Sequence, residues 1–399
     1  MPTISVRGNE MPQSPIRKLA PLADAAKARG IKVYHLNIGQ PDLPTPPTAI
    51  QAIRNVDLKV LAYSPSQGFL SYRQKLVDYY AKFNINVTAD DIIITTGGSE
   101  AVLFAFLSCL NPGDEIIVPE PAYANYMAFA ISAGAVIRTV TTTIDEGFSL
   151  PKVEKFESLI NERTKGILIC NPNNPTGYLY TRREMNQIRD LVKKYDLYLF
   201  SDEVYREFIY TGSPYISACH LEGIEQNVVL IDSVSKRYSE CGIRIGALIT
   251  KNVAVRQAVM KFCQARLSPP LIGQIAAEAS LDELEEYSRD TYDEYVERRK
   301  CLIDGLNLIP GVYSPIPMGA FYTVAKLPVD DAEEFCQWCL RDFDYEGETV
   351  MMAPAAGFYT TPGGGRNEVR LAYVLKKEDL QRAIFILRKA LEVYPGRTE

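Results

Sequence analysis

One lysine stands where an apolar stretch ends, and its surroundings indicate covalent chemistry. In "NVVLIDSVSKRYSECGIRIG" the first part is typical of a buried strand, and Lys236 follows it between small residues. Lysine is rarely buried without a partner, whereas an amine at a strand end can form a Schiff base with a carbonyl group. Arg244, eight residues further on, cannot be the partner of Lys236, because both are cations. Arg244 instead offers a fixed positive charge that can pair with a phosphate.

An aldehyde cofactor of this kind is pyridoxal phosphate (PLP), which needs a phosphate-binding turn. The stretch "TTGGSEAVLFAF" predicts strand, glycine turn and helix. Backbone N–H groups at the start of a helix favour phosphate. Ser99, Ser233, Ser235 and Arg244 can add donors or charge. Taken alone, "GGSE" is equally typical of a tight turn that caps a helix.

The same cofactor needs an anion beside its pyridine nitrogen and hydrogen-bonding groups at its phenolic oxygen. Asp202 in "FSDEVY" follows the apolar run "LYLF" and so stands at a strand end. A carboxylate there keeps the nitrogen protonated, which makes the ring an electron sink. By itself Asp202 fits a helix N-cap equally well. Tyr205, three residues on, and Asn174 in "NPNNPTG" are the candidates for the phenolic oxygen.

The elements that must position these residues alternate over residues 45–250. Seven apolar runs indicate strands: "DIIITTGG", "DEIIVPEPAY", "GAVIRTV", "TKGILIC", "LYLFSDEVY", "NVVLIDSVSK" and "IRIGALIT". Segments with helical periodicity, such as "RREMNQIRDLVKKYD", lie between several of them. This alternation predicts an α/β fold, with a mainly parallel sheet between helices on both faces. Ligands of such sheets gather at the carboxyl ends of the strands, where the polar residues above lie.

The remainder of the chain predicts a second, smaller unit. Residues 279–307 form a charged helical stretch, three strand-like runs follow it, and "EDLQRAIFILRKALEVY" is an amphipathic closing helix. We predict a large cofactor-binding domain over residues 45–285. A small α+β domain would combine residues 1–44 with residues 286–399, joined by a long helix near residues 284–306.

Composition excludes several other classes of protein. The 399 residues are 47% hydrophobic with a net charge of −6, which allows a sizeable core and argues against nucleic-acid binding. The longest apolar stretches are too short to span a bilayer, and the N-terminus lacks the apolar core of a signal peptide. Cys336 and Cys339 form a C-x-x-C pair, but with only His35 and His220 in the chain we expect no metal site. A cytoplasmic protein with reduced thiols is the expectation.

Three motifs in fixed order identify a family. "NPNNPTG", then "SDEVY", then "SVSK" with an arginine eight residues later in "GIRIG", resemble the signature of class I aminotransferases of PLP fold type I. The resemblance covers residues 33–375 and is nearest to the bacterial aspartate aminotransferase branch. It implies a large domain around a mainly parallel seven-stranded sheet and a smaller α+β domain. It also implies PLP as cofactor, an amino acid and a 2-oxo acid as substrates, and a homodimer with shared active sites.

The resemblance assigns a role to each residue that binds the cofactor. Lys236 resembles the residue that forms the imine and moves the proton, and Asp202 resembles the partner of the pyridine nitrogen. Tyr205 and Asn174 match the phenolate partners. The implied phosphate-binding residues are Gly98, Ser99, Ser233, Ser235, Arg244 and, from the other subunit, Tyr63.

The residues implied at the substrate come from separate parts of the chain. Arg370 in "NEVRLAYV" matches the arginine that binds the α-carboxylate, and Gly39 in "NIGQPD" lies near the same group. Tyr123 in "PEPAYANY" matches the aromatic residue that stacks on the cofactor ring beside the substrate. Asn174 is implied at the substrate as well as at the cofactor.

Side-chain specificity is less well determined. Aspartate with 2-oxoglutarate, through two half-reactions, is the expected pair. Some members of the branch carry a lysine directly after the two glycines of the phosphate turn, where this chain has Ser99, which argues against acidic substrates. Arg266 in "CQARLSPP" is the candidate ligand of a distal carboxylate, or else an interface or solvent-facing arginine. Broad, aromatic or methionine transamination, a PLP-dependent C–S β-lyase, and a regulator without turnover are the alternatives.

Overall fold

The computed structural model describes residues 2–283 and 285–398. Residues 1, 284 and 399, which belong to the predicted ranges, lie outside the described residues. The strands are β1 Lys32–His35, β2 Ile92–Thr95, β3 Glu115–Glu120, β4 Val136–Thr141, β5 Thr164–Cys170, β6 Tyr198–Asp202, β7 Val228–Ser233, β8 Gly246–Ile249, β9 Tyr322–Lys326, β10 Glu348–Met351, β11 Ala353–Pro354 and β12 Glu368–Ala372. The α-helices are α1 Val6–Glu10, α2 Ala20–Ala28, α3 Pro47–Arg54, α4 Leu70–Ala81, α5 Gly97–Cys109, α6 Asn125–Ala133, α7 Val153–Glu157, α8 Arg182–Tyr195, α9 Val234–Arg237, α10 Val253–Arg266, α11 Leu271–Ser280, α12 Glu285–Asn307, α13 Ala332–Arg341 and α14 Lys377–Val393.

The central sheet has seven strands in the order β2-β8-β7-β6-β5-β3-β4. Strand β8 runs antiparallel to both of its neighbours, and the other paired strands are parallel. This confirms the predicted α/β fold with a mainly parallel seven-stranded sheet. All seven apolar runs identified in the sequence form strands of this sheet.

Helices cover both faces of this sheet, because its strands are apolar on both sides. Alternate residues of a strand point to opposite faces. Ile93 and Phe200 accordingly belong to one hydrophobic core, and Ile92, Ile94 and Leu199 belong to the other. Continuous apolar runs, rather than alternating ones, are the sequence pattern that such doubly covered strands require.

The strand registers bring the polar residues to one edge. Cys170 of β5 pairs with Asp202 of β6, and Asp202 pairs with Ile231 of β7, so these three parallel strands end side by side. Gly246 at the start of β8 pairs with Thr95 on one side and with Ser233 on the other. The turn into α5 and the turn into α9 therefore flank the same antiparallel strand.

The rest of the chain forms the smaller α+β unit. Strands β11, β12 and β9 make an antiparallel sheet, and β1 from the N-terminal segment pairs with β10. Helix α12 begins at Glu285 and ends at Asn307, against the predicted 284–306. The division into a 45–285 domain and a domain of 1–44 with 286–399 stays a prediction.

Two further findings concern membrane spans and metal sites, which the sequence analysis considered. Among residues 2–283 and 285–398, no helix combines the length and the apolar character needed to cross a membrane. In the same described ranges, no cluster of three or more His, Cys, Asp and Glu side chains has the arrangement of a metal site. All eight cysteines have free thiols, and Cys336 and Cys339 are buried in α13.

Candidate active site

Lys236 lies in the short helix α9, one turn beyond the end of β7. Ser233 caps this helix, since its side-chain oxygen accepts a hydrogen bond from the N–H of Ser235 at 3.1 Å. The Lys236 ammonium donates to the carbonyl oxygen of Gly39 at 2.8 Å and lies 4.0 Å from the sulfur of Cys241. It has no carboxylate partner within the part of the chain that the structure describes. A half-buried amine held only by neutral groups is suited to act as a nucleophile or a base.

Asp202 ends β6 as a buried carboxylate without a cationic partner among the described residues. The Tyr126 hydroxyl donates to its Oδ2 at 2.6 Å, and the N–H of Val204 lies 3.4 Å from its Oδ1. Burial raises the pKa of Asp202 to about 6, against the opposing effect of the Tyr126 hydrogen bond. A protonated ring nitrogen would supply the missing opposite charge.

Tyr205 and Asn174 come together across the edge of the sheet, although they are 31 residues apart. The side-chain amide of Asn174 donates to the Tyr205 oxygen at 3.5 Å. The Tyr205 and Tyr322 hydroxyls lie 3.1 Å apart and form a hydrogen bond. Burial raises the pKa of Tyr205 well above its usual value, so the phenol stays protonated and can donate. The three residues form one set of neutral donors.

Arg370 on β12 is fully buried and faces this set from the smaller unit. Its Nη1 donates to Asn174 Oδ1 at 3.2 Å, and its Nη2 donates to the carbonyl oxygen of Asn37. Its Nε has no hydrogen-bond partner, and no carboxylate pairs with it in residues 2–283 or 285–398. Burial lowers the pKa of its guanidinium.

Comparison with other buried arginines shows why Arg370 is unusual. Arg206 and Arg298 are also almost fully buried, and each of them forms ion pairs with two carboxylates. A buried charge without an opposite charge is unfavourable. The donor set of Arg370 therefore fits a ligand that brings its own carboxylate, and its planar fork suits that group.

The turn from β2 into α5 forms a cradle for an anion. Gly97 adopts φ +74°, and a side chain there would overlap the guanidinium of Arg244. At Gly246 a Cβ would lie 2.6 Å from the nitrogen of Gly98, so the strand beside the turn also requires glycine. The N–H groups of the first turn of α5 and the Arg244 charge thus share one small space with the half-buried Ser99. Such a donor set suits phosphate.

The remaining predicted residues lie at different distances from this centre. Gly39 has no room for a side chain, because a Cβ would overlap the Tyr322 hydroxyl. Tyr123 packs edge-to-face against Tyr126 with ring centroids 5.4 Å apart. Burial raises the pKa of the Tyr123 phenol to about 12. Tyr63 does not join the cluster within one chain, since it is 78% exposed.

Arg266 has partners of its own at the start of α5. Its guanidinium forms an ion pair with Glu100 at 3.2 Å and donates to the carbonyl oxygen of Ser66 at 3.1 Å. Glu100 in turn accepts a hydrogen bond from the N–H of Thr96 at 2.7 Å. The structure thus places Arg266 in contacts that hold the glycine turn.

Three residues of the site were not identified from the sequence. Tyr322 contacts Tyr205 and the carbonyl oxygen of Gly39, and its ring centroid lies 4.7 Å from the Arg370 guanidinium. Tyr126 binds Asp202, and Asn37 contributes only its backbone oxygen to Arg370. Tyr322 stands in "GAFYTVAKLP", and its strand was predicted, but nothing in the pattern indicated which face carries function.

Taken together, these residues fit PLP. The amine of Lys236 would bind its aldehyde carbon, and Asp202 would pair with its ring nitrogen. Asn174 and Tyr205 would supply the donors for the phenolic oxygen, while the turn at Gly97 with Arg244 suits the phosphate. The buried, unpaired charges of Asp202 and Arg370 are the observations that carry this fit.

Comparisons with known proteins agree with this description. A family model described as "Aminotransferase class I and II" matches residues 31–387. An aspartate aminotransferase of Thermotoga maritima is 32% identical over 383 residues, 96% of this chain and 97% of that protein. The aromatic-amino-acid aminotransferase 2 of Thermococcus litoralis is 29% identical, over 95% of this chain and 96% of that protein. A solved structure of the Thermus thermophilus aspartate aminotransferase with maleate has a TM-score of 0.87 at 28% identity, and the match covers 98% of this chain and all of that one.

Proposed function

The chain belongs to the class I and II aminotransferases, which depend on PLP, and we propose that it transfers the amino group of aspartate to 2-oxoglutarate. The transfer would proceed in two half-reactions with one amino acid and one 2-oxo acid in turn. The buried Arg370, which has no acidic partner among the described residues, is the observation that carries the amino-acid substrate class, and the similarity to aspartate aminotransferases favours aspartate within that class. It indicates a ligand with a carboxylate beside the lysine.

Arg370 would bind the α-carboxylate through its two terminal nitrogens. Its present acceptors, the Asn174 side chain and the Asn37 carbonyl, keep the guanidinium plane fixed before the substrate arrives. The ring of Tyr322 below it restricts the guanidinium further. This fixed orientation decides which bond of the substrate Cα stands perpendicular to the cofactor ring. The Cα–H bond would hold that position.

Lys236 would move the proton. Its free amine would act as the base that takes the Cα proton of the substrate and then as the acid that gives a proton back. PLP supplies the electron sink that makes the Cα–H bond acidic. Asp202 would keep the ring nitrogen protonated, and Tyr205 with Asn174 would hold the phenolic oxygen. One residue acts as base and then as acid, so its position matters more than any single added contact.

Recognition of a second carboxylate needs a further cation. Arg266 is the candidate that the sequence offers. Because its guanidinium already pairs with Glu100, a substrate carboxylate would have to bind it alongside Glu100. Arg17 is a second candidate. Its positive charge opposes the burial that raises the pKa of Tyr123, so it lies near that residue. Among residues 2–283 and 285–398 its guanidinium has no hydrogen-bond or ion-pair partner.

The segment that carries Arg17 is tied to the α-carboxylate site. The side-chain amide of Asn37 donates to the carbonyl oxygen of Ile16 at 2.9 Å, and the carbonyl oxygen of Asn37 accepts from Arg370. Lys18 anchors the same segment through an ion pair with Glu333. Arg17 is thus an exposed arginine on a segment that these contacts tie to Arg370.

A homodimer with shared sites is part of the proposal. Tyr63, Leu61 and Val60 are all more than two-thirds exposed in the single chain, and they lie close together in sequence. Exposed apolar groups that cluster in this way are typical of protein interfaces. A second copy of the chain covering them would bring its Tyr63 to the phosphate end of the cofactor.

A single-turnover screen tests the function. Each amino acid is mixed with the PLP-loaded protein, and the loss of the cofactor absorbance band is recorded. Aspartate and glutamate should react faster than alanine, phenylalanine or methionine. Equal rates with alanine would refute the dicarboxylate assignment, and faster rates with aromatic residues would favour the aromatic alternative. Steady release of pyruvate and ammonia without an oxo-acid acceptor would instead favour a C–S β-lyase.

Two matched variants separate the candidates for the distal carboxylate. Arg17→Gln and Arg266→Gln both remove one charge. The variant that lacks the true ligand should lose about 10- to 100-fold in kcat/KM for aspartate, since a charge-assisted hydrogen bond contributes about 1.5–3 kcal/mol. Its rate with alanine should stay unchanged. Loss with both substrates would indicate a contribution to the fold of the site.

A further inference from the structure

Arg237, the residue directly after Lys236, is buried and bonded back to the strand that precedes the lysine. Its Nη1 donates to both carboxylate oxygens of Asp232, at 2.9 Å each. Asp232 also accepts from the N–H of Ser233 at 2.8 Å. The side chains of positions 232 and 237 therefore bridge the strand-to-helix turn. That turn carries Ser233, Ser235 and Lys236.

The Asp232 end of this bridge is fixed from the far side. The Tyr80 hydroxyl donates to Asp232 Oδ2 at 2.7 Å, and Arg206 Nη1 lies 3.4 Å from the same oxygen. Arg206 forms a second ion pair, with Glu203, at 3.3 Å. All four charged side chains of this network are nearly inaccessible to solvent, with side-chain exposures from 0 to 4%. These four side chains carry two positive and two negative charges.

The Arg237 end is equally enclosed. Its Nη1 also donates to the Tyr79 hydroxyl at 3.2 Å, and its guanidinium lies 4.3 Å from the centre of the Tyr79 ring. Burial alone would lower the pKa of Arg237, but Asp232, Tyr79 and other acidic neighbours together outweigh it and hold the pKa well above its usual value. Because its charge is used inside the pair, Arg237 is not offered to the cofactor phosphate. Its position next to Lys236 needs another explanation.

Building on the proposed function, we propose that Arg237 is a positioning residue for Lys236. The Arg237–Asp232 pair closes the turn from both sides of the lysine. It fixes the direction in which Lys236 leaves the backbone relative to the hydroxyls of Ser233 and Ser235. The lysine and the phosphate-binding serines thereby keep one spacing, that between the aldehyde carbon and the phosphate of PLP.

Energetics favour positioning over stability as the purpose of the pair. Replacing a buried ion pair by apolar groups is often neutral for stability, because the desolvation of both charges offsets their attraction. A misplacement of about 1 Å, in contrast, can slow a reaction about 100-fold. The geometry that the pair enforces is therefore its main contribution, and the lysine that it flanks is the group that needs exact placement.

The rate of covalent PLP attachment tests this proposal without turnover. Cofactor-free protein is mixed with PLP, trapped with borohydride at set times, and the lysine-linked fraction is counted by intact mass. Arg237→Met should slow attachment by about 10- to 100-fold and also destabilise the fold, since Asp232 loses the closer of its two cations and keeps only Arg206. The double variant Asp232→Asn with Arg237→Met removes both charges. It should recover most of the free energy of unfolding while attachment stays slow.

The control is Arg256→Met, which removes the ion pair with Asp91 in the same large sheet unit. Its attachment rate should equal that of the wild type. Recovery of the attachment rate together with stability in the double variant would overturn the assignment, because the pair would then act through stability alone. Unchanged attachment in Arg237→Met would overturn it as well. A wild-type protein that attaches no PLP would refute the proposed function itself, and this assignment with it.

Discussion

Replacing Asp202 by asparagine should stabilise the cofactor-free protein at neutral pH and weaken its hold on PLP. Asp202 lies buried at the end of β6, and its carboxylate has no cationic partner among the described residues. Asparagine keeps an oxygen that can accept from the Tyr126 hydroxyl, which binds Asp202 at 2.6 Å, and it carries no charge. The substitution therefore removes an unfavourable buried charge. It also removes the partner of a protonated pyridine nitrogen.

The size and sign of the stability effect follow from two pKa values. Aspartate usually titrates at 3.8, and burial raises the pKa of Asp202 to about 6 in the folded chain. Each unit corresponds to about 1.4 kcal/mol, so the ionised side chain lowers the free energy of unfolding by about 3 kcal/mol above pH ~6. Below pH ~4 the group is protonated in both states and has no effect. The advantage of Asp202→Asn should therefore grow as the pH rises between these limits.

Urea denaturation of the PLP-free proteins at several pH values measures this difference. Asp232→Asn on the neighbouring strand is the matched control, because it removes the same group from a different environment. Burial would raise the pKa of Asp232, but Arg237 and Arg206 outweigh it and hold the pKa at about 2. Asp232 thus stabilises the fold above pH ~4, and this contribution is lost as the pH falls towards 2. The control should be less stable than the wild type at neutral pH.

Two results would refute the reasoning. A difference between Asp202→Asn and wild type that is the same at every pH would show that the charge of Asp202 is not its cause. A loss of stability at neutral pH in both variants would show that the two aspartates do not differ in the way their environments indicate. A PLP titration completes the test, since Asp202→Asn should bind PLP more weakly although its apo form is more stable.

Three further outcomes are expected. Arg370→Gln should lower kcat/KM about 100-fold, because a bidentate charge-assisted contact contributes about 3 kcal/mol. The PLP affinity measured by titration should stay unchanged. An equal loss of PLP affinity would contradict a role restricted to the substrate. Tyr322→Phe removes the hydroxyl that binds Tyr205 and should weaken PLP binding by up to about 10-fold, since one buried hydrogen bond contributes about 1 kcal/mol; an unchanged dissociation constant would argue against this contact. Tyr63→Ala and Lys236→Ala subunits, each impaired alone, should regain activity when mixed and reassociated; no recovery would argue against shared sites.

The sequence was sufficient to predict the sheet and the residues at its edge. Polar groups such as Asn174, Asp202 and Lys236 follow apolar runs at the carboxyl ends of parallel strands, and the fold dictates that such ends meet. That inference needs only local pattern and general topology. The ordered motifs then identified the family, whose model matches residues 31–387.

The contacts that cross between the two units could not be predicted in the same way. Tyr322 touches Tyr205, which lies 117 residues earlier, and Arg370 donates to Asn37, which lies 333 residues earlier. Hydrophobic periodicity is a local signal and says nothing about which distant strands pack together. Arg237 and Asp232 were missed for a different reason. Two opposite charges five residues apart are typical of a solvated surface, and only the burial of the turn makes them a pair.

Charge pairing distinguishes the charged residues that stabilise this site from the charged residues that fit a ligand. Arg237 and Asp232 are paired inside the protein, and Arg206 also pairs with Asp232, so neither charge needs a ligand. Arg370 and Asp202 are buried without opposite charges among the described residues, and Arg370 donates to Asn174 of the Asn174–Tyr205 pair. A substrate carboxylate and a ring nitrogen cation would complete both. An isolated buried charge lowers the free energy of unfolding of the ligand-free protein, and a bound partner of opposite charge removes this cost. The same two groups should therefore raise the free energy of unfolding of the ligand-bound protein.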